Sequence, residues 1–417
     1  MRKLVILLAA AFLLTAQAPA PADPVSQASA SLNQGRYLEA VDALAAAAFD
    51  KHGAVRDRQA FYSWLQYSPF ITNRIDPAVL DRADPSAPDL DDAERKRLTA
   101  IRPRDALEAI VERARETSIV ILNEAHDSPR DRAFALEVAR ALRPLGYSVL
   151  AAETFINVRD GDSAPPSAGV GALAKDGFVR RDTGFYTADP VYADFVRQAL
   201  GLGYRPVAYE MTGAQRSPGD GIEEREQAQA NNLMTSIFAS APATKVLIFV
   251  GYSHAAELAL PNGDGTSNEW MAARLKRLTG IDPLTIDQTT ISETASARAA
   301  RQAHALLSRE ASDRSLALFQ DGRPHVLGQP TGAIDLQVIH PATRLVHGRP
   351  VWLARIGRKP VDIPRALLPA TGRRLVQAFA ADAPPDAVPL DQVVVRAGAP
   401  VLKLMLPDLP VRYATQP

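Results

Sequence analysis

The sequence predicts an α/β fold: a doubly wound parallel sheet core, an N-terminal helical segment and a small β-rich C-terminal module. Short apolar runs rich in Val, Ile, Leu, Phe and Tyr alternate with helical patterns through the middle of the chain. Such runs are typical of strands buried on both faces of a parallel sheet. Right-handed helical crossovers would place helices on both faces. Glu or His follows four of the runs, which predicts a site, because ligands bind beyond the carboxyl ends of such strands.

The first 22 residues have the three regions of a secretory signal peptide. Arg2 and Lys3 precede an apolar stretch, residues 4–14, and small residues lead to Ala22. That stretch is too short to cross a membrane as a mature helix. We therefore predict cleavage after Ala22, a periplasmic or secreted protein and no membrane span after cleavage. The alternative is an uncleaved N-terminal anchor.

Composition restricts the classes of partner. The chain has 47 basic and 47 acidic side chains, and loss of Arg2 and Lys3 with the signal peptide would leave a formal balance of −2. This neutrality predicts no nucleic-acid partner and no adhesion to anionic lipid. There is no cysteine, so stability must come from a conventional core without disulfides. We expect a small-molecule or peptide substrate, and the sequence leaves the oligomeric state open.

Residues 23–102 are predicted to form the helical segment. The pattern over 25–49 resembles half of a tetratricopeptide unit, but no second copy follows, so a lone helical hairpin is expected. Residues 57–70 add a helix with three aromatic residues at helical spacing. Prolines between 81 and 92 then predict a linker or surface loop.

The central module is predicted over residues 103–290. Its expected elements are strand 118–124, helix 129–144, strand 147–153, a long loop, helix 190–201, strand 204–210, helix 221–239, strand 244–251, helix 268–279 and strand 283–287. The loop 155–188 leaves the carboxyl end of a strand, so we expect it to cover the site and to offer Asp182 and Tyr186 to the substrate. For its part 160–175, a flexible insertion without function is the alternative.

The sequence pattern changes over residues 291–417. An Ala/Arg-rich helix to about residue 307 precedes short alternating runs, namely SLALF, IDLQVIH, PVWLARIG, QVVVRA and VLKLML. These runs predict the small β-rich module. His325, His340 and His347 lie there without the spacing of metal ligands, and each is interpreted as a solvated or core-edge histidine.

The candidate site combines residues from four predicted strand ends. Glu124 and His126 follow the first run, and one acidic or histidine residue follows each of the others: Glu153, Glu210 and His254. Side chains two apart point the same way at a strand end, so Glu124 and His126 can project together. A carboxylate beside an imidazole favours a general base near neutral pH. Glu153 and Glu210 could orient His126, polarise water or bind a cation, although polar loops alone also place such residues at strand ends.

The segment Gly251-Tyr252-Ser253-His254-Ala255 allows two interpretations. Gly-x-Ser-x-Ala between a strand and a helix is close to a nucleophile elbow, which would make Ser253 a nucleophile. The second glycine of that motif is absent, no His-Gly-Gly loop precedes it, and the acidic strand ends lie upstream. In the preferred interpretation His254 is the functional residue, while Gly251 and Ser253 shape the turn.

Several short motifs together resemble the erythromycin esterase, ChaN-type haem-binding and Tiki–TraB group. They are Asn-Glu-Ala-His after the first strand, Glu153 after the second, Arg225-Glu226 with Asn231-Asn232 in a helix, and Gly-Tyr-Ser-His after a later strand. The resemblance covers about residues 115–290. It implies that His126 activates water, that Glu124 and Glu153 are its carboxylate partners, that Arg225 stabilises an anion or oxyanion, and that His254 is a second site histidine.

Two departures from the group bear on the substrate. Asn123 stands where the group usually has glycine, and Asp127 replaces the threonine/glycine context of the macrolide esterases. Macrolide substrates are therefore in doubt.

We predict an exported hydrolase that acts on an ester, lactone or amide bond. Its catalytic residues would be Glu124, His126, Glu153, Arg225 and His254, and its substrate-binding residues Glu210, Tyr186, Asp182 and Tyr252. No cofactor is expected to be required. One alternative is a metal-dependent peptidase in which Glu124, His126, Glu153 and His254 are the ligands. Another is a non-catalytic haem or iron protein that uses Tyr186, Tyr209, Tyr252 or a histidine.

Overall fold

The computed structural model describes residues 23–158, 169–219, 221–262 and 264–417. The predicted signal peptide, residues 1–22, and part of the predicted flexible insertion lie outside the described residues. The described helices are α1 (Pro24–Asn33), α2 (Tyr37–Ala48), α3 (Arg58–Tyr67), α4 (Pro69–Thr72), α5 (Pro77–Ala83), α6 (Asp92–Leu98), α7 (Ala106–Arg113), α8 (Pro129–Leu142), α9 (Val170–Asp176), α10 (Pro190–Gly201), α11 (Ile222–Leu233), α12 (Met271–Thr279) and α13 (Arg298–Leu307). None of these described helices has the length and apolarity needed to span a membrane.

The strands are short and most of them are buried. They are β1 (Arg104–Asp105), β2 (Ile119–Glu124), β3 (Val149–Ala152), β4 (Arg205–Val207), β5 (Val246–Gly251), β6 (Ala259–Pro261), β7 (Ser267–Glu269), β8 (Leu284–Asp287), β9 (Leu316–Ala317), β10 (Phe319–Gln320), β11 (Arg323–Pro324), β12 (Leu336–Ile339), β13 (Leu345–Val346), β14 (Arg349–Pro350), β15 (Lys359–Val361), β16 (Arg373–Ala380), β17 (Asp391–Arg396), β18 (Leu404–Leu406) and β19 (Val411–Gln416).

The centre of the fold is an eight-stranded sheet in the order β1-β9-β12-β8-β2-β5-β3-β4. Its strands from β12 to β4 pair in parallel, and β9 pairs antiparallel with both β1 and β12. The chain is therefore mixed α/β with a mostly parallel central sheet, in agreement with the predicted class. Glu124 at the end of β2 is in register with Gly251 at the end of β5. The carboxyl ends of these two strands therefore meet at one edge.

The strand β2 is buried on both of its faces, as its continuous apolar run predicts. Val120 and Leu122 belong to one apolar cluster, and Ile119 and Ile121 belong to another. Successive side chains of a strand point to opposite faces, so both faces of β2 are apolar and buried. The first cluster includes residues of α8 and α10, and the second includes residues of α11 and α12.

The C-terminal residues differ in part from the predicted module. The runs SLALF and IDLQVIH supply β9 and β12, which extend the central sheet because β12 pairs with β8. The run PVWLARIG does not form a strand: residues 351–356 are a 3-10 helix that buries Trp352, Leu353 and Ile356 in the cluster with α8. The remaining runs form small antiparallel sheets, β15 with β18 and β17-β16-β19.

Candidate functional site

A cavity of about 710 Å³ opens at the carboxyl ends of β2, β3, β4 and β5. It is lined by side chains from each of the four predicted strand ends and from two further segments. Those among the predicted site residues are His126, Glu153, Tyr186, Glu210, Arg225 and His254. The structure thus brings together residues that are separated by up to 128 positions in the sequence.

The imidazole of His126 is held by groups on several sides. Its Nδ1 lies 3.1 Å from Oε1 of Glu124. Tyr186 stacks on the ring with centroids 4.2 Å apart, and Tyr252 contacts it edge-on at 4.9 Å. The backbone N–H of His126 donates to the Tyr252 hydroxyl at 3.2 Å. When Nδ1 carries the proton and donates it to Glu124, the Nε2 lone pair is left free to accept a proton.

Gly251 provides the space that His126 occupies. A Cβ at this position would lie 2.7 Å from Nε2 of His126 and closer still to Cε1. The backbone of Gly251 has φ −85°, which any residue adopts, so the backbone of the turn does not itself require glycine at this position. The absence of a side chain is what the site requires here. In contrast, Tyr252 does adopt a left-handed φ of 38°.

A buried arginine anchors Glu124. Nε of Arg132 on α8 donates to Oε2 of Glu124 at 2.6 Å, and its Nη1 donates to Asp189 at 2.8 Å. The Arg132 side chain is 0% exposed. Burial would lower the pKa of Arg132, but the charges of Glu124 and Asp189 outweigh it and raise the pKa. Arg132 was not among the predicted site residues, because nothing in a helical charge pattern shows that its side chain points inward.

A second cluster of charges surrounds Glu153. Its Oε1 accepts a 2.6 Å hydrogen bond from Nη2 of Arg225 and lies 3.2 Å from Nε2 of His254. Its Oε2 accepts from the backbone N–H of Gly251 at 2.6 Å. Glu210 holds the same guanidinium through bonds of 3.1 and 2.6 Å. Glu210 therefore positions Arg225, and Glu153 forms no hydrogen bond with His126.

His254 is clamped between two carboxylates. Its Nδ1 lies 2.8 Å from Oε2 of Glu226, a fully buried residue of α11 that was not among the predicted site residues. Burial alone would lower the pKa of His254, but the charges of Glu153 and Glu226 and hydrogen bonds to both raise it to about 10. Burial would raise the pKa of Glu153, yet His254, His126 and Arg225 lower it below its usual range. His254 is thus an imidazolium at neutral pH and not a second base.

The protonated state of His254 predicts a pH-dependent stability. Its pKa is about 10 in the fold and near 6.5 in an unfolded chain, so between these values the folded state holds a proton that the unfolded state has released. The stabilisation is complete below pH 6.5 and is lost as pH rises towards 10, by about 1.4 kcal/mol per pH unit. Denaturant unfolding at pH 6, 7.5 and 9 should show this slope in the wild type and not in His254→Gln. A variant of an exposed histidine, His52→Gln, should keep it; an unchanged slope in His254→Gln would contradict the imidazolium.

Two predicted substrate-contact residues lie elsewhere. Asp182 is not among the residues that line the cavity, and its carbonyl accepts the N–H of Gly169 at 3.1 Å. Tyr252 lines a neighbouring cavity, and its ring makes an edge-on contact with the ring of His126. The long loop does reach the site as expected, since Ile156, Val158 and Phe185 add an apolar, partly exposed wall.

The candidate metal ligands are already engaged by other groups. The described residues contain no group of three or more His, Cys, Asp or Glu that could hold a metal ion. Both oxygens of Glu153 accept from donors, and Glu124 is bound by Arg132. A cation would also require a deprotonated His254. The four residues therefore do not fit an ordinary metal centre.

The tyrosines proposed for haem do not share one cavity. Tyr209 is fully buried, Tyr186 lines the cavity that holds His126, and Tyr252 lines the neighbouring one.

Ser253 is not placed as a nucleophile. Ser253 belongs to a single 3-10 turn, residues 252–255, and lines the neighbouring cavity. The left-handed backbone that a nucleophile elbow needs at its serine occurs here at Tyr252 instead.

Comparisons with known proteins find only remote structural similarity. No protein-family model matches the chain, and no curated protein matches it. One similar solved structure is RRSP, a MARTX toxin effector domain from Vibrio vulnificus CMCP6, which is 16% identical with a TM-score of 0.32. The match covers 63% of this chain and 55% of that chain. The type III effector HopBA1 has 16% identity, 58% and 96% coverage and a TM-score of 0.33. For two structures of bacterial protein toxins, the chain spans 45% of their length, at 16% and 17% identity and a TM-score of 0.32.

Proposed function

We propose that this chain is an exported hydrolase in which His126 activates water against an ester, lactone or amide bond. The observation that carries the proposal is the Glu124–His126 pair, whose imidazole lies at the wall of a cavity that also holds Arg225 and the protonated His254. The proposal retains the resemblance to the erythromycin esterase, ChaN and Tiki–TraB group. It also takes the central sheet as doubly wound and the chain as periplasmic or secreted.

In the proposed reaction, Nε2 of His126 takes a proton from a water molecule as the oxygen attacks the carbonyl carbon. Glu124 accepts from Nδ1 and stabilises the imidazolium that forms. His126 then gives the proton to the leaving oxygen or nitrogen as the carbonyl re-forms. One histidine thus serves first as the base and then as the acid, and no covalent intermediate is needed.

We propose that the cluster of charges around Glu153 stabilises the oxyanion that forms during the reaction. Arg225 and His254 are both cationic, and Nη1 of Arg225 lies 3.3 Å from Nε2 of His254. Glu153 and Glu210 hold these two donors in place before substrate arrives. Donors fixed in advance stabilise developing charge without reorganisation, and removal of one such donor typically lowers the rate by about 10²–10³. We therefore assign Glu153 to this cluster and not to His126.

The lining of the cavity favours a substrate with an apolar portion. Ile156, Val158 and Phe185 line it although each is at least 39% exposed, and Met211 lies beside them. Arg216 also lines the cavity and forms no ion pair with the described residues. A small molecule or a peptide with an apolar group near the scissile bond fits this wall.

The direct test is a hydrolysis screen of the purified protein. Esters, lactones and peptides with apolar groups should include at least one that the wild type cleaves and His126→Ala does not. The screen should be repeated with Arg225→Met, because loss of the oxyanion donor should lower turnover of the same substrate. Cleavage that is equal in all three proteins would overturn the proposal.

Gly251→Ala should reduce activity about as severely as loss of His126, by about 10² or more. The new Cβ would displace the imidazole, since it would stand 2.7 Å from Nε2. The matched control is Gly213→Ala: Gly213 lines the same cavity, but a Cβ there would meet nothing within 4 Å. Steady-state kinetics of both variants, with a histidine-selective NMR spectrum to detect the displaced ring, make the comparison. Equal activity of the two variants would contradict the close approach.

Hydrolysis should survive treatment with a chelator. The oxygens of Glu153 already accept from Arg225 and from the Gly251 amide, and His254 carries a proton, so the same residues are not available to a cation. Rates should agree within about twofold before and after chelation, because the proposed chemistry uses no Lewis acid. Activity that disappears with chelator and returns with zinc or manganese would instead support the metal-dependent alternative.

A further inference from the structure

A second cavity, of about 610 Å³, lies at the same edge of the sheet as the site. It is bounded by the segments that follow β2, β5 and β8 and by helices α3, α5, α6 and α13. Its wall is mainly apolar and includes Leu65, Leu80, Leu90, Leu98, Ile291 and Leu327. A cavity of this size and lining is typical of sites for small organic molecules.

The charges around the second cavity are one-sided. No lysine, arginine or histidine is among its lining residues, whereas Glu94 and Asp127 are. Glu94 pairs with Arg97 on the exposed side of α6. Asp127, in contrast, forms no ion pair in the described part of the chain, although it lies within the wall. The cavity therefore offers one carboxylate that has no direct ion pair in the described residues, although the more distant charges of His126 and Arg132 also act on it.

The arginines of α13 do not form an ion pair with Asp127. Arg298 and Arg301 belong to α13, which forms one side of the cavity, but both guanidinium groups bind Asp81. Arg301 also donates to the backbone carbonyls of Ala295 and Ser296. Both guanidinium groups thus donate to groups other than a ligand in the cavity. An anionic ligand would find no lysine, arginine or histidine among the lining residues.

We propose that the second cavity binds an apolar molecule that carries an amine. The apolar body would lie against the leucines and the alanines of α13, and the ammonium group would pair with Asp127. Tyr252 joins this cavity to the proposed reaction centre, because it lines the cavity while its ring and hydroxyl contact His126. The inference concerns binding and does not depend on the proposed hydrolysis.

Calorimetric titration of the full chain with octylamine, octanol and octanoate tests the preference for an amine. Octylamine should bind at least about tenfold more tightly than octanoate, since only the amine pairs with Asp127. Asp127→Asn should bring octylamine close to octanol and leave octanol unchanged. Octanoate that binds as well as octylamine to the wild type would overturn the proposal.

A variant that fills the second cavity tests whether octylamine binds there. Ala300 lines the cavity and Ala305 is exposed on the same helix, so Ala300→Phe should abolish octylamine binding while Ala305→Phe retains it. Ala299→Phe, at a second lining position, serves if Ala300→Phe unfolds at a lower temperature than the wild type. Full octylamine binding in a folded blocking variant would show that the molecule binds elsewhere. Because binding is the readout, this outcome is independent of whether any substrate is hydrolysed.

Discussion

Replacing His126 by alanine is expected to lower the rate of hydrolysis by about 10²–10⁴, the usual contribution of a general base. The imidazole is the group that Glu124, Tyr186 and Tyr252 together hold at the cavity wall. Alanine removes both the base and the acid that later protonates the leaving group. The loss should appear in kcat, because a base acts on the transition state more than on substrate binding.

Glu124→Gln provides the companion measurement. Glutamine keeps the size of the side chain and its hydrogen bond to Nδ1, but it cannot neutralise the imidazolium that forms during the reaction. The rate should fall by a similar order. The control is His52→Ala, which removes an exposed histidine far along the chain from the site and should keep wild-type kinetics. Undiminished turnover in His126→Ala, with an unchanged circular dichroism spectrum, would end the assignment of His126 as the base.

The sequence could predict the position of the strands because burial on both faces leaves a continuous apolar run. β2 and β5 begin within two residues of the predicted starts, and α10 has the predicted bounds. The end of β4 was not predictable: the run continues to Glu210, but pairing with β3 stops at Val207. Likewise β12 joins the central sheet through its pairing with β8, a contact that its own alternating pattern does not contain.

For the candidate site, the sequence could identify most of the residues but not the contacts between them. Glu124, His126, Glu153 and His254 could be found because parallel strands present their carboxyl ends at one edge. Their pairing could not, because the choice of Arg225 and His254 as partners of Glu153 depends on how α11 packs against the sheet. The fully buried Glu226, which together with Glu153 raises the pKa of His254, looks in sequence like one more acid of a solvated helix.

Arg132→Met should be among the most destabilising single changes in the described structure, with a loss of about 3–5 kcal/mol in the free energy of unfolding. The side chain is 0% exposed and lies between Glu124 and Asp189. Methionine nearly preserves the apolar volume, so the cost comes from two buried carboxylates that lose their counter-ion. Denaturant unfolding gives the difference directly. The control is Arg97→Met, which removes an exposed ion pair with Glu94 and should change stability by less than about 1 kcal/mol.

A second substitution separates this electrostatic cause from lost packing. Asp189 caps α10 by accepting the backbone N–H of Val191, and asparagine caps helices equally well. In the Arg132→Met background, Asp189→Asn removes one of the two stranded charges and keeps the cap, so the double variant should be more stable than Arg132→Met alone. In the wild-type background the same change should destabilise, because Arg132 then loses a partner. If Asp189→Asn destabilises both backgrounds equally, the ion pair is not what Arg132 contributes, and Glu124 must be held beside His126 by packing instead.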